Sequence, residues 1–563
     1  QLDTDLLFGL DLLVSRCSLL DQRPEYLLML HHGFHYADTF STSEAVLRGF
    51  KYVVLAKAVT TGRLRAEASR SVKETLGRIR LVNAGHLRRL VEELMRDAQA
   101  ATEEDELRAA ALAAELAARA EAEASAGAVR ARAEAIQAAA TLGTWPSAAE
   151  LEAVEARAAE AARKEASTKA PASTEAAQLG EDLDSERLLR KVLRYCAAGY
   201  LSKGYAQFRA SPLADAAKAE VRAELRRLHP QATPPTPSEM PDEPGVAAFV
   251  TSKAAFVEIF AKPPQERGIS LDATSYEELQ QLFHGGGFYR ETLFSLVSKI
   301  NAGTIHPAAA CILGESLLVG LEKPDGSTRP IGVGSALRRL AGRVVMKQEG
   351  ERMGVVLTTT KPSAEDMRAA GWDEGRACNI PLQLGCGIKG GAEIAVAIGR
   401  LTIQLKPTWA ILSDDKRNGF NAVTRAAIER GLRRWFPELI PMFRLFYARC
   451  GRLFTVSKDG RRAAVDEAGD EFFSAEGCTQ GDSMGPFYFA IGYHMALLEI
   501  QAAHPDTTIC AYLDDTYYLQ EPPEALAAMC TGDAVSSRVC GVVSNLPKQE
   551  VYGSPAADLS GMP

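Results

Sequence analysis

The sequence predicts an α+β fold, with an antiparallel sheet flanked by helices and a mainly helical half before it. Three observations predict it. Residues 507–512 and 516–519 are short runs rich in aromatic and β-branched residues, joined across Leu513-Asp514-Asp515, which is the pattern of a hairpin with an acidic pair on its turn. Upstream, Trp409-Ala410-Ile411-Leu412-Ser413 is an apolar strand ending in Asp414 and Asp415, and residues 422–436 then place Val423, Ala427, Leu432 and Trp435 for one packed helix face. The chain also lacks the regular alternation of strands and helices that a doubly wound domain requires.

At 563 residues there is room for several domains. Residues 1–95 mix apolar clusters such as Tyr52-Val53-Val54-Leu55 with basic helical stretches, and their role is not legible. His31, His32 and His35 have no cysteine nearby at ligand spacing and read as an ordinary cluster rather than a metal centre. Residues 96–185 are low in complexity, dominated by alanine, glutamate and arginine. They predict a long solvated helix that lacks the large heptad residues of a coiled coil. Helical patterning resumes over 186–230, a proline-rich linker covers 231–245, and two further segments, 246–400 and 401–563, carry the motifs below.

Ten cysteines without a Cys-x-x-Cys pair, and no signal peptide, predict reduced thiols and an intracellular protein, nuclear or cytoplasmic. No apolar run is long enough to span a bilayer, so no membrane partner is expected. The net charge of −8 comes partly from the acidic helical region. Local basic groups, Arg338-Arg339-Arg343 and Arg433-Arg434, are the expected track for a nucleic-acid backbone.

Asp514 and Asp515 repel one another unless a cation lies between them, and hard oxygen donors of this kind suit Mg²⁺ or Mn²⁺. Alone, such a pair is an ordinary solvated turn. It has company in Asp414 and Asp415 at the end of the upstream strand, and in Glu476-Gly477-Cys478-Thr479-Gln480-Gly481-Asp482-Ser483-Met484-Gly485-Pro486, a glycine-rich turn leading into an apolar helix at 487–500. Gly385-Cys386-Gly387-Ile388-Lys389-Gly390 satisfies a dinucleotide-binding pattern, between a strand at 380–384 and a helix at 392–401. The acidic residues that follow lie beyond the spacing such a unit needs.

Taken together these segments resemble the polymerase domain of a reverse transcriptase, most similar to those of non-LTR, LINE-like retrotransposons. Tyr512-Leu513-Asp514-Asp515 matches the family's Tyr-x-Asp-Asp. Gln480-Gly481 with Gly485-Pro486 matches its Gln-Gly-Asp-Pro-x-Gly-Pro, with Ser483 in place of proline. Residues 415–425 resemble Asp-x-x-Asn-Ala-Phe-Asn-x-x-x-Arg, with Gly419 for alanine. Lys323-Pro324-Asp325-Gly326-Ser327-Thr328-Arg329-Pro330-Ile331, the segment from Gln383 to Glu393, and Gly541 to Lys548 complete six motifs in the family's order over residues 310–555.

The resemblance implies a right-hand palm and fingers, with fingers and the start of the palm over 246–400 and the palm over 401–563. It also implies that a thumb is absent or truncated and that the chain is a fragment or a decayed element. The expected activity is an RNA-directed DNA polymerase, with an RNA template, a DNA primer and dNTPs as partners and two Mg²⁺ or Mn²⁺ ions as cofactors. Asp415, Asp514 and Asp515 are the expected metal ligands, with Asp514 bridging and Asp515 less direct. The family's spacing selects Asp415 over Asp414, which is left as an outward-facing, structural carboxylate. Lys323 and Arg329 would flank the triphosphate, Phe420 would bar a ribose 2′-hydroxyl, and Gln480, Gly481 and Tyr512 would contact nucleotide or template-primer. Lys548 would protonate the leaving pyrophosphate. An RNA-dependent RNA polymerase and a silent template-binding remnant remain as alternatives.

Overall fold

The computed structural model describes residues 213–216, 218–229, 247–264, 274–323, 326–373, 376–448, 451–456, 462–463, 472–560 and 562, together with residue 153. Residues 1–95, the linker 231–245 and, apart from residue 153, the low-complexity stretch 96–185 lie outside these. Every element named below belongs to one unit that includes residues 212–563.

Among the described residues from 213 on, five helices come first: α1 (Ala219–Arg227), α2 (Lys253–Ala261), α3 (Tyr276–His284), α4 (Gly287–Asn301) and α5 (Pro307–Gly314). Their starts follow capping chemistry. The Ser252 hydroxyl accepts from the Ala255 amide at the start of α2, and Ser275 with Glu278 forms a reciprocal capping box at α3. Phe256 packs with Phe260, Phe283 and Phe294, tying α2, α3 and α4 together.

A hairpin of β1 (Ser316–Glu322) and β2 (Thr328–Gly334) leads into the long α6 (Ala336–Thr359), then the short α7 (Ala364–Ala369). Next come β3 (Leu382–Gln383), α8 (Gly391–Leu405), β4 (Ala410–Asp415), α9 (Gly419–Ala422), α10 (Arg425–Trp435) and α11 (Ile440–Tyr447). The expected continuous helix over 422–436 is broken at Val423-Thr424, because the Thr424 hydroxyl accepts from the Ala427 amide and begins a new helix. After β5 (Gly451–Val456), β6 (Arg462–Ala463) and β7 (Phe472–Ser474) comes α12 (Gly485–Ala503), followed by β8 (Thr508–Tyr512), β9 (Asp515–Gln520), α13 (Pro522–Cys540) and β10 (Glu550–Gly553).

The described strands form two sheets. One runs β2-β1-β5-β6 with β7 also on β5, and the other runs β10-β4-β9-β8-β3. The sequence predicts an antiparallel sheet, and the structure differs in two pairs: β3 lies parallel to β8, and β1 parallel to β5. Helix α12 is buried on nearly all sides, as its apolar sequence requires, and packs against α10 and α13. Burial of Phe487, Tyr488 and Phe489 on that helix contributes about 1.5–3 kcal/mol each. This packing fixes the second sheet, whose strand ends carry the carboxylates.

The glycines of the dinucleotide-like segment serve packing. A Cβ at Gly385 would lie 2.6 Å from the Leu513 nitrogen, and one at Gly387 would lie 2.3 Å from the Gly350 carbonyl oxygen. The segment is pressed between the β8–β9 turn and α6. Among the described residues no helix is long and apolar enough to cross a membrane.

Candidate active site

The β4–β9 register sets Asp415 directly opposite Asp515 and Asp414 opposite Thr516. Directly opposed residues share a sheet face, and neighbours on a strand alternate faces. Asp415 and Asp515 therefore stand on one face, with Asp414 on the other. Tyr512 pairs with Asp515, so Leu513 and Asp514 form the two-residue tip of the β8–β9 hairpin.

Asp414 is fully buried. It accepts from Lys416 Nζ at 2.5 Å, Ser544 Oγ at 2.9 Å and Gln549 Nε2 at 3.1 Å. Burial alone would depress the Lys416 ammonium, but Tyr493 and Asp414 beside it carry its pKa above the ordinary value. The expected outward-facing Asp414 is thus corrected: the carboxylate points inward because a buried cation and two further donors meet it there.

Asp415 looks the other way. Its Oδ2 accepts from Asn545 Nδ2 at 2.8 Å and lies 3.3 Å from Lys548 Nζ, while its carbonyl accepts from the Asn545 amide. The Lys548 loop is thereby clipped to β4. Burial, then the charges of Asp515 and Asp415, push Asp514 up to about 6 against the pull of its own backbone hydrogen bond and of Arg329. Asp515 is also raised, by burial and by Asp415, with Lys548 opposing.

Among the described residues no three His, Cys, Asp or Glu side chains stand close enough to hold one ion together. The expected ligands share one end of the sheet and feel one another's charge, but they are not a preformed chelate, since Asp415 is engaged by Asn545 and Lys548. Their hard oxygens and incompletely neutralised charge fit a divalent cation by donor chemistry.

The other predicted residues converge from several segments. Arg329 on β2 reaches Asp514 electrostatically, whereas Lys323 lies in the β1–β2 turn, where its backbone bonds Ser327 and Gly326. The Gln480 carbonyl accepts from the Gly332 amide at 2.8 Å. Gly481 takes φ +117°, and a Cβ there would lie 2.4 Å from the Gly332 oxygen, so this loop rests on β2. The Phe420 ring stacks on Phe489 at 5.0 Å, and its carbonyl accepts from the Cys478 amide. A Cβ at Gly419 would lie 3.0 Å from the Phe489 ring and 3.3 Å from Asp514 Cβ, a crowded position that glycine suits. Tyr512 ends β8 with an exposed side chain.

Two buried arginines organise this junction. Arg425 donates to the carbonyls of Gly477, Tyr447 and Ser474. Arg338 donates to Asp482 Oδ2 at 2.5 Å, and the same oxygen accepts from the Tyr447 hydroxyl at 2.6 Å. The expected basic track is corrected accordingly: Arg338 and Arg339 are buried, Arg339 lies over the Tyr276 ring, and Arg433 pairs with Glu429. Their partners lie far off in sequence or in a neighbouring turn, and Arg434 is left exposed.

Gln383 was not legible as a site residue. Fully buried, it donates from Nε2 to the Leu513 carbonyl at 3.1 Å and accepts at Oε1 from the amides of Leu513 (2.8 Å) and Gly385 (3.1 Å). The available signals were its place at the head of the Gln383–Glu393 motif and a lone polar side chain in the mostly apolar run at 380–384.

No family model matches the chain. Among solved structures it is similar to the apo telomerase of Candida tropicalis truncated from its C-terminal domain, at 13% identity and a TM-score of 0.29 over 44% of this chain and 51% of that one. It is also similar to the telomerase of Candida albicans in complex with a TWJ fragment of telomeric RNA, at 11% identity and a TM-score of 0.29 over 43% of each. Both likenesses are too distant to carry an argument. A curated relative is nearer: the Retrotransposable element SLACS 132 kDa protein of Trypanosoma brucei gambiense is 28% identical over 320 residues, 52% of this chain. The match spans only 24% of that protein's length. Over about half its length this chain is thus similar to the protein of a retrotransposable element, in keeping with the retroelement resemblance read from the six motifs.

Proposed function

We propose that residues 246–563 form the fingers and palm of an RNA-directed DNA polymerase, part of a retrotransposon-like element, which adds dNTPs to a DNA primer on an RNA template. The observation that carries this reading is the register that sets Asp415 opposite Asp515, with Asp514 on the adjoining hairpin tip. When bound, two Mg²⁺ or Mn²⁺ ions would activate the primer 3′-hydroxyl and stabilise the departing pyrophosphate. Asp415, Asp514 and Asp515 are the residues that would hold them.

The chain's other groups then have distinct tasks. Arg329 meets phosphate bidentately, and Lys323 adds a point charge from the same hairpin. Phe420, braced by Phe489, forms the wall against which a 2′-hydroxyl collides. Gln480 and Gly481 offer backbone close to the β2 strand, and Tyr512 flanks the hairpin tip on the nucleotide side. Lys548 already stands beside Asp415, placed to serve the leaving phosphates as a proton donor.

Primer extension on an RNA template, with dNTPs and NTPs offered separately, tests the reading. Incorporation of dNTPs should fall at least ~10³-fold in Asp514→Ala, a loss of about 4 kcal/mol of transition-state stabilisation. It should relax toward NTPs in Phe420→Ala. Wild-type preference for NTPs would favour an RNA polymerase, and template binding without synthesis a silent remnant.

A further inference from the structure

Leu513 is one of two non-glycine residues with positive φ among the described residues, at +56°; the other is Asn418, at +51°. A left-handed backbone disfavours a leucine, which has no polar side-chain atom to hydrogen-bond its own backbone there. Compensation comes from Gln383, 130 positions earlier in the sequence. Its carboxamide meets both backbone polar groups of Leu513, accepting from the amide and donating to the carbonyl. A third bond, from the Gly385 amide to the same carboxamide oxygen, fixes the side chain's orientation.

The surroundings make this contact specific. β3 pairs with β8 only over Leu382↔Cys510 and Gln383↔Ala511, and the Leu384 amide then bonds the Ala511 carbonyl. At that point β8 turns away into the hairpin tip. The carboxamide takes over where the ladder stops, standing in for the next strand residue. Gly385 must remain without a side chain for the turn to sit this close.

We infer that Gln383 is a positioning residue for Asp514: by clamping the Leu513 peptide it holds the hairpin tip in the one conformation that aims the Asp514 carboxylate at the Asp415–Asp515 face. The inference rests on the polymerase reading of those carboxylates. It assigns Gln383 no contact with substrate and no proton transfer. Its loss should weaken cation binding and raise the metal concentration that synthesis needs, while the rate at saturating metal is largely kept.

The test is Mn²⁺ binding to the full chain, read as free Mn²⁺ by electron paramagnetic resonance at pH 7.5, with thermal unfolding followed in parallel. Wild type, Asp514→Asn, Gln383→Met and Gln383→Met with Leu513→Asn are compared. Gln383→Met should unfold cooperatively and bind Mn²⁺ about tenfold more weakly. Adding Leu513→Asn should recover at least about threefold, because asparagine tolerates the left-handed region. If Gln383→Met does not fold, Gln383→Glu is read instead. It keeps the acceptor and loses the donor, and about threefold weaker binding is expected. Affinity within twofold of wild type in the folded variant, beside at least tenfold loss in Asp514→Asn, overturns the clamp and leaves the carboxylate reading standing. Absence of Mn²⁺ binding in the wild type overturns both.

Discussion

Asp414 and Asp415 are consecutive residues on one strand, yet they live in opposite chemistries. Asp414 is enclosed with Lys416, Ser544 and Gln549, and its charge is answered within the fold. Asp415 shares its face with Asp515 and the hairpin tip, where three carboxylates are set against Lys548 and the field of Arg329. The difference shows how a strand end can carry an enclosed acid and an open-faced one in adjacent positions: alternation of side chains sends one into the core and one to the open face. One side stabilises the fold, and the other holds charge in readiness.

Removing either partner of the enclosed pair should break the comparison most severely. Asp414→Ala or Lys416→Met strands a buried charge, and each should cost about 3–5 kcal/mol in urea unfolding. A loss below about 1 kcal/mol would mean that water reaches the pair. On the open face the sign reverses. Asp514 has a folded pKa of about 6 against an ordinary 3.8, so its contribution to stability is fully present below pH 3.8 and is lost as pH rises through about 6. Asp514→Asn should therefore stabilise the protein by about 1–2 kcal/mol at pH 7.5, after allowance for solvent screening, with the gain vanishing below about pH 4. Thermal unfolding across that range without added divalent ions reads it directly. The smallest change is expected from Lys548→Met. This half-exposed cation opposes the rise at Asp515, and removing it should lower stability at pH 7.5 by less than about 1 kcal/mol, with salt erasing the difference.

Much of this site could be read from the chain. The hairpin strands were placed within about one residue, and the expected strand over 409–413 is β4, which sets Asp414 and Asp415 on opposite faces. These features are local: period-two alternation and residue spacing suffice to specify them. What escaped was long-range pairing. Arg338 looks like a cation for nucleic acid until Asp482, 144 positions away, is seen to bury it. Lys416, unremarked in the sequence, is enclosed by Ser544, 128 positions away, and by Asp414. The helix break at Thr424 was of another kind, since a threonine three residues before Ala427 is a cap signal visible in the sequence itself.

The strand order β10-β4-β9-β8-β3 also bears on how this polypeptide is handled as a reagent. β10 covers the flank of β4, pairing Glu550 with Ser413 through Gly553 with Ala410, and the segment just before it supplies Ser544, Asn545, Lys548 and Gln549 to the two aspartates. An expression product cut after α13 would keep every acidic residue of the motifs. It would also expose an apolar strand edge ready to template aggregation, and would unseal the Lys416–Asp414 pair. The last twenty or so residues are thus a lid on the sheet's edge, and a shortened version that precipitates or lacks activity would be reporting on that missing edge strand.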